Sequence, residues 1–506
     1  MALLFAKTLE EVVANNSEET WSPLFFVPFV VLSVPQKLDQ VKNLTKWTKS
    51  KVKTCMETRF PNWSPTRLFP KRTVKKAQQE DFGISKKIEA KLSDGDTRRA
   101  LRLLNSDDTF APNHNQTFTT LLDRHHPHPQ STNFPVPPIK TESIQLEDPE
   151  LLKALSSFYP GSAGGLDGIR PQILKDLTSK QNGVNGERLV RAIKGFVTLV
   201  LNGEIPDSIR PIFFGASLTA LKKQCGGIPP IAMGSVWHRL TSKILVHRIT
   251  PSLSAYLSPH QVGVGVRNGA EAGAHAARIY FNANHSSPKA FLKLDFRNAF
   301  NEIRGDSILT QVKTQLPTLF PYVPQSYLLP SNLYFGSCYI SSECGVHQGD
   351  PLGPALFALT VHPIVLQLET ELNVWYLDDC TIGDDPMKVV EAFRFLSAKC
   401  EEIGLQLNTS KSEVTVIGGD GEENSQIIQQ FKSIAPNIKI MATHDASLLG
   451  SPLTDESTRR VLNLKTAEFS KLSRRLTQLS SHSAFFLLRN SVSTPRLIYF
   501  LRCAPS

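Results

Sequence analysis

The sequence predicts an α/β chain in which a sheet carries the reactive groups, preceded by a mostly helical region. Three observations predict it. Ala290-Phe-Leu-Lys-Leu294 is a strand-length apolar run that ends at Asp295. Val374-Trp-Tyr-Leu377 and Cys380-Thr-Ile382 are two short β-rich runs joined by Asp378-Asp379, the pattern of a hairpin with an acidic turn. Between these stretches lies Gln348-Gly-Asp-Pro-Leu-Gly-Pro354, a Gly/Pro-rich loop that leads into the apolar run Ala355-Leu-Phe-Ala-Leu359.

The elements follow in chain order. Leu24–Leu32 is about half the length of the roughly 20 residues a membrane span needs. It contains Pro28 and follows Glu10, Glu11, Glu18 and Glu19 rather than a basic start, so it reads as an apolar face packed on neighbouring helices. Arg98–Leu104 and Phe118–Leu122 read as short helices. The stretch from His125 to Pro138 holds five Pro and reads as a linker, and its three His lack a Cys or carboxylate at ligand spacing. Further on, Pro351 suits the start of the helix through Ala355–Leu359, and Pro363 should kink or end it. Asp385-Pro386 followed by Met387–Phe393 reads as the N-cap and first-turn Pro of a helix, and Asp384 and Asp385 are assigned to capping. Leu462–Leu501 is helical in character and basic, with Arg459, Arg460, Lys465, Lys471, Arg474 and Arg475.

Charge is concentrated in one place. Twelve Lys/Arg between Lys37 and Lys76 face only Asp39 and Glu57, so this segment carries the whole net charge of +10. Trp47, Phe60, Trp63 and Phe69 interleave with the cations, among them Lys46, Lys71 and Arg72. Such a mixture neutralises phosphates and stacks bases, and RNA or template binding is the favoured reading over a solvated linker or targeting patch. The seven Cys are scattered without zinc-like pairing, as in a reduced, intracellular protein.

The carboxylates suggest the chemistry. Two divalent ions stabilise both the attacking and the leaving oxygen when a hydroxyl displaces pyrophosphate, and Mg²⁺ needs only two or three Asp besides phosphate and water. Asp295 and the Asp378-Asp379 pair are far apart in sequence, so a folded sheet must bring them together.

On these motifs the chain resembles the reverse transcriptases, most closely those of non-LTR retrotransposons, from about Pro160 to Leu453. Gly164-Gly-Leu-Asp-Gly-Ile169 is similar to the family's opening motif. Lys222-Lys223 with Pro230-Ile231 resembles the segment that cradles the triphosphate. Lys293–Phe300, Gly345–Pro354 and Tyr376–Asp379 resemble three successive palm motifs. Gly404–Asn408 with Lys411 resembles a fourth, and Leu448-Leu449-Gly450 the primer grip. The resemblance implies an α/β (α+β) right-hand polymerase with a ferredoxin-like palm, fingers and a short helical thumb. The divisions it implies are a helical N-terminal region 1–124, a linker 125–140, fingers and opening motifs 141–288, palm 289–446, and primer grip with partial thumb 447–506.

Residue roles carry over in the same way. Asp295, Asp378 and Asp379 become ligands of two Mg²⁺ ions, with Mn²⁺ as an alternative, and Lys411 the acid that protonates pyrophosphate, or else a solvated Lys. Phe296, Phe300, Gln348, Gly349, Lys222 and Lys223 become substrate contacts, and Leu449 and Gly450 the primer grip. Phe300 stands at the steric gate, where a ring fills the space of a ribose 2′-hydroxyl. One departure concerns the triphosphate site: the family's Arg before Pro-Ile is here Pro229, which offers no guanidinium fork. Lys222, Lys223 or Arg239 could compensate.

The implied function is an RNA-directed DNA polymerase that takes an RNA template, a DNA primer or target, and deoxynucleoside triphosphates, with no membrane. It is expected in the nucleus or cytoplasm and not secreted. The chain reads as a fragment or derivative of an element. The alternatives are a catalytically weak relic that binds RNA and, disfavoured by Phe300, an RNA-templated RNA polymerase, whose Gly383-Asp384-Asp385 signature occurs here by coincidence of position.

Overall fold

The computed structural model describes residues 1–32, 43–57, 83–105, 109–110, 115–123, 134–135, 143–222, 230–283, 285–336, 338–347 and 349–505. Lys71, Arg72, Lys223, Pro229, Gln348 and most of the 125–140 linker lie outside them.

The chain forms two compact units. The first comprises residues 1–80, 107–248 and 309–353. Its sheet has the order β1 (Thr109–Phe110), β2 (Ala216–Lys222), β5 (Ser331–Phe335), β6 (Cys338–Ser342), with β3 (Pro230–Gly234) also paired to β2. Leu218, Leu333, Phe335, Ile340 and Leu121 build one core on this sheet. The N-terminal helices Ala2–Ala14 and Glu18–Val31 pack with Gly183–Leu201. Trp21, fully buried, sets its ring 5.2 Å from Phe196 and 5.8 Å from Phe213. The apolar run Leu24–Leu32 is thus largely the buried side of a core helix. Among the described residues no helix is long and apolar enough to cross a membrane.

The second unit comprises residues 81–106, 249–308 and 354–506. Its sheet runs β10 (Lys439–Ile440), β9 (Glu413–Ile417), β4 (Lys289–Leu294), β8 (Asp379–Asp384), β7 (Leu372–Tyr376). β4 pairs antiparallel with both β8 and β9, and β7 with β8. β4 is buried along nearly its whole length, on both faces of the sheet, which is why it is nearly continuous apolar sequence rather than alternating. The helix Pro386–Glu402 connects β8 to β9. The hairpin β11 (Ser447–Leu448) and β12 (Ser451–Pro452) follows, then the helices Asp455–Leu476, Ser481–Leu487 and Thr494–Cys503. Ile88, Ala100 and Leu104 share a core with Leu472, Leu476, Leu487 and Val492.

The helix Gly353–Val365 contains Pro363 and ends just past it. Asp385 does sit at the N-cap position of Pro386–Glu402, yet its side chain makes no cap hydrogen bond. It pairs instead with Lys289 at 2.9 Å. The carboxylate of buried Asp384 accepts from the Asp385 and Glu371 backbone N–H groups at 2.6 and 3.1 Å. A Lys one strand away attracts the Asp385 carboxylate more strongly than a helix N-terminus, because a full charge outweighs the partial charge of the dipole.

Candidate active site

β4 and β8 lie in register with Leu294 opposite Cys380, so Asp295 leaves the end of one strand beside Asp379 at the start of the other. Burial, reinforced by Asp379 and then Asp295, pushes the Asp378 carboxyl up to about 6. Burial and Asp295 raise Asp379 also, with Lys293 opposing. Asp295 thus disfavours ionisation of both turn carboxyls, and Asp379 that of Asp378, which makes a site suited to cations, since a bound cation reverses such repulsion.

Asp295 and the Leu377-Asp378 turn are held by separate devices. Asp295 is fixed by the 404–412 segment: Asn408 Nδ2 donates to Asp295 Oδ2 at 2.9 Å, the Asn408 N–H donates to the Asp295 carbonyl at 2.7 Å, and the Ser412 hydroxyl accepts from the Asp295 N–H at 3.2 Å. Asp378 lies in a two-residue turn, since Tyr376 pairs with Asp379. Leu377 adopts a left-handed φ of 57° there, an unfavourable backbone for a side chain with a branched body. Gln261 holds it in place. Its Oε1 accepts from the Leu377 N–H at 2.7 Å and the Gly263 N–H at 3.0 Å, and its Nε2 donates to the Leu377 carbonyl at 3.2 Å. The segment around Gln261 adds to β7 as a short parallel bridge to Trp375, and a Cβ on Gly263 would stand 2.8 Å from the Leu377 nitrogen.

A cleft is lined by Lys293, Asp295, Asp379, Lys411, Glu413, Leu448 and Leu449. Lys411 is exposed, with Nζ 3.8 Å from Asp295 Oδ2. Lys293 donates to Glu413 at 2.6 Å and to the Ser447 carbonyl at 3.0 Å, which ties β4, β9 and the β11–β12 hairpin together. Leu449 and Gly450 form that hairpin's turn with φ of 49° and 78°, the two left-handed residues a tight hairpin requires. The Tyr499 hydroxyl donates to the Leu449 carbonyl at 2.8 Å.

Residues 220–453 match the family model for reverse transcriptase (RNA-dependent DNA polymerase). This stretch is a reverse transcriptase domain. The chain is 26% identical over 300 residues to the retrotransposable element SLACS 132 kDa protein of Trypanosoma brucei gambiense, covering 57% of this chain and 24% of that protein. It is 25% identical over 374 residues to the retrovirus-related Pol polyprotein from the type-2 retrotransposable element R2DM of Drosophila melanogaster, covering 67% of this chain and 33% of that protein. The chain therefore spans about a quarter to a third of the length of these relatives.

The reverse transcriptase domain contains the remaining candidate residues in varied settings. Phe300 is half-buried with its ring 4.7 Å from that of Phe357. Phe296 is buried and stacked on Trp375, so its ring belongs to the core. Gly349 has φ of 79° and lies against β3, where a Cβ would meet the Ala232 carbonyl at 2.5 Å. Lys222 ends β2. Arg239 is buried, donates to the Ala163 carbonyl at 2.6 Å and is held down to about 10 by burial. It stands beside the Gly164–Ile169 segment, where Asp167 opposes that lowering. That segment packs tightly: a Cβ on Gly165 would lie 2.6 Å from Gly234 and Ser235 backbone atoms. Outside the domain, Lys46 and Trp47 lie in the helix Leu44–Glu57, where Lys51 Nζ sits 3.7 Å above the Trp47 ring. Gln261, Ser412 and Tyr499 escape sequence reasoning, because each acts on a backbone group remote in the chain. Only for Gln261 does the sequence hold a signal, the motif His260-Gln-Val-Gly263 shortly before a helix.

Proposed function

We propose that this chain is an RNA-directed DNA polymerase from a non-LTR retrotransposon, extending a primer 3′-hydroxyl with deoxynucleotides. The observation that carries the reading is the convergence of Asp295 with Asp378 and Asp379 at adjoining strand ends, inside a reverse transcriptase domain. In this reading residues 289–446 are the palm, and the strand order β9-β4-β8-β7 with antiparallel neighbours is that of a ferredoxin-like sheet. Residues 141–288 supply fingers, and the hairpin and helices of 447–506 supply the primer grip and a short thumb.

The mutual repulsion of the three carboxylates fits divalent cations, with Asp295, Asp378 and Asp379 as the holders. When bound, two Mg²⁺ ions supply Lewis-acid stabilisation of the attacking and leaving oxygens. The protein's own groups do the rest. Gln261 and Asn408 keep the carboxylates in position, so that no reorganisation is needed during reaction. Lys411, exposed beside Asp295, donates a proton to the departing pyrophosphate. Phe300, braced by Phe357, excludes a 2′-hydroxyl. Leu449 and Gly450 support the primer end, and the basic helix Leu44–Glu57 binds phosphates of the RNA template.

The test is Mg²⁺-dependent incorporation of labelled dTTP on poly(A)/oligo(dT), with Asp378→Asn alongside. DNA product from the parent chain and none from the variant supports the polymerase. RNA binding by both proteins with product from neither overturns it in favour of a non-catalytic RNA-binding protein, for which Pro229 and the buried Arg239 are the arguments.

A further inference from the structure

The first unit contains a second group of metal-ligating side chains that the polymerase chemistry does not use. His238, on the helix Val236–Leu257, and His347 and Asp350, on the loop between β6 and the helix Gly353–Val365, bring one donor atom each to within 4.8 Å of the others. His238 and Asp350 are 2% and 7% exposed.

The polar accounting around them is incomplete. Buried polar atoms in folded proteins find partners, and each exception calls for an explanation. Here three stand side by side: among the described residues, His238 Nε2, His347 Nδ1 and the Tyr327 hydroxyl are buried without a hydrogen-bond partner. Tyr327 stacks on His347 at 4.9 Å. His238 Nε2 faces Asp350 Oδ2 at 3.4 Å, well beyond the roughly 2.9 Å of a good N–H···O bond. Two ligands of one tetrahedral Zn²⁺ at about 2.0–2.1 Å stand about 3.3 Å apart. The separation suits a shared ion better than a hydrogen bond. Asp350 is also oriented for the task, since its other oxygen accepts from the Leu352 N–H at 3.0 Å.

We infer that His238, His347 and Asp350 bind a structural transition-metal ion, Zn²⁺ by the preference of its imidazole and carboxylate donors. Water completes the coordination, with the Tyr327 hydroxyl as its hydrogen-bond partner. The ion pins His347 and Asp350 to the helix Val236–Leu257 and thereby holds Gly349 in its close approach to Ala232. It is distinct from the Asp295, Asp378 and Asp379 group, whose all-oxygen donors suit Mg²⁺.

The experiment uses the full chain, purified with Zn²⁺ and then freed of loosely held metal, with metal content read by mass spectrometry and binding by Co²⁺ substitution. The expected result is about one equivalent of zinc, and a tetrahedral cobalt spectrum in the visible range. Both should be lost in His238→Ala and His347→Ala, and retained in Asp378→Asn and in a variant with His125, His126 and His128 all changed to Ala. His238→Cys guards against misfolding of the alanine variants, since a thiolate in the same place restores cobalt binding and adds a charge-transfer band. The inference is overturned if the parent chain takes up no zinc and gives no cobalt spectrum. It is equally overturned if the metal persists in the His238 and His347 variants but disappears with the His125–His128 cluster or with Asp378.

Discussion

At the scale of single residues the three carboxylates are unequal in their surroundings. Asp378 sits in a strained turn and is raised to about 6 by burial and its neighbours, while Asp295 is held by Asn408. Replacing Asp378 by Asn keeps the shape and removes a ligand charge. Metal stabilisation is worth several kcal/mol, so nucleotide incorporation should fall by about 10³-fold or more, with the circular dichroism spectrum unchanged. Phe300→Val opens the space beside Phe357. Discrimination against ribonucleotides should then drop by at least about tenfold, measured as the ratio of kcat/KM for dTTP and UTP. Asp167 permits a stability test. Burial raises its carboxyl to about 6, against the opposing Ile169 N–H and Arg239. A carboxyl whose folded pKa lies above its unfolded value of 3.8 binds more protons in the native state, so its contribution to stability declines as pH rises from about 4 to 6. The parent chain should lose on the order of 1–3 kcal/mol relative to Asp167→Asn over that range, as read by urea unfolding.

At the scale of elements, strands are readable where composition and position agree. β4 follows from a nearly continuous apolar run because it is buried along nearly its whole length, and the β7–β8 hairpin follows from two short β-rich runs joined by Asp378-Asp379. The device that keeps the hairpin turn in place is not readable. Gln261 is more than a hundred residues from Leu377, and its amide matches the turn's backbone groups only after the chain has folded. Gln261→Ala frees Leu377 to relax toward ordinary backbone angles and shifts Asp378. A displacement of about 1 Å at a reacting group costs on the order of 10² in rate. We expect that loss in kcat, with a smaller change in KM, and partial rescue by Leu377→Gly, which adopts the left-handed angle without strain.

At the scale of the whole molecule, charge is the property most visible in sequence. Net charge acts through long-range fields that do not depend on the fold. Lys46, Lys49 and Lys53 project from the helix Leu44–Glu57 as exposed cations, Lys53 beside Glu57 at 3.8 Å. Changing Lys46 and Lys49 to Ala should weaken binding of single-stranded RNA and reduce the slope of log K against log salt by about 0.7 for each phosphate that is no longer neutralised. Trp47, covered by Lys51, should contribute less to binding than a free stacking platform, and Trp47→Ala should leave the salt slope unchanged.

By itself the sequence determined the candidate groups of the proposed site and their order: Asp295, the Gly345–Pro354 loop, Asp378-Asp379, Lys411 and the Leu449-Gly450 turn. Such motifs are local, and a few adjacent residues carry both the backbone preference and the chemistry. It also determined where the charge lies. Only the tertiary structure decided which carboxylates meet, that Arg239 is used internally, that Asp385 serves Lys289 rather than a helix cap, and that His238, His347 and Asp350 converge. Each of these depends on strand register or on the packing of a helix against a loop. Those relations are set by the summed burial of many side chains, and no short stretch of sequence contains them.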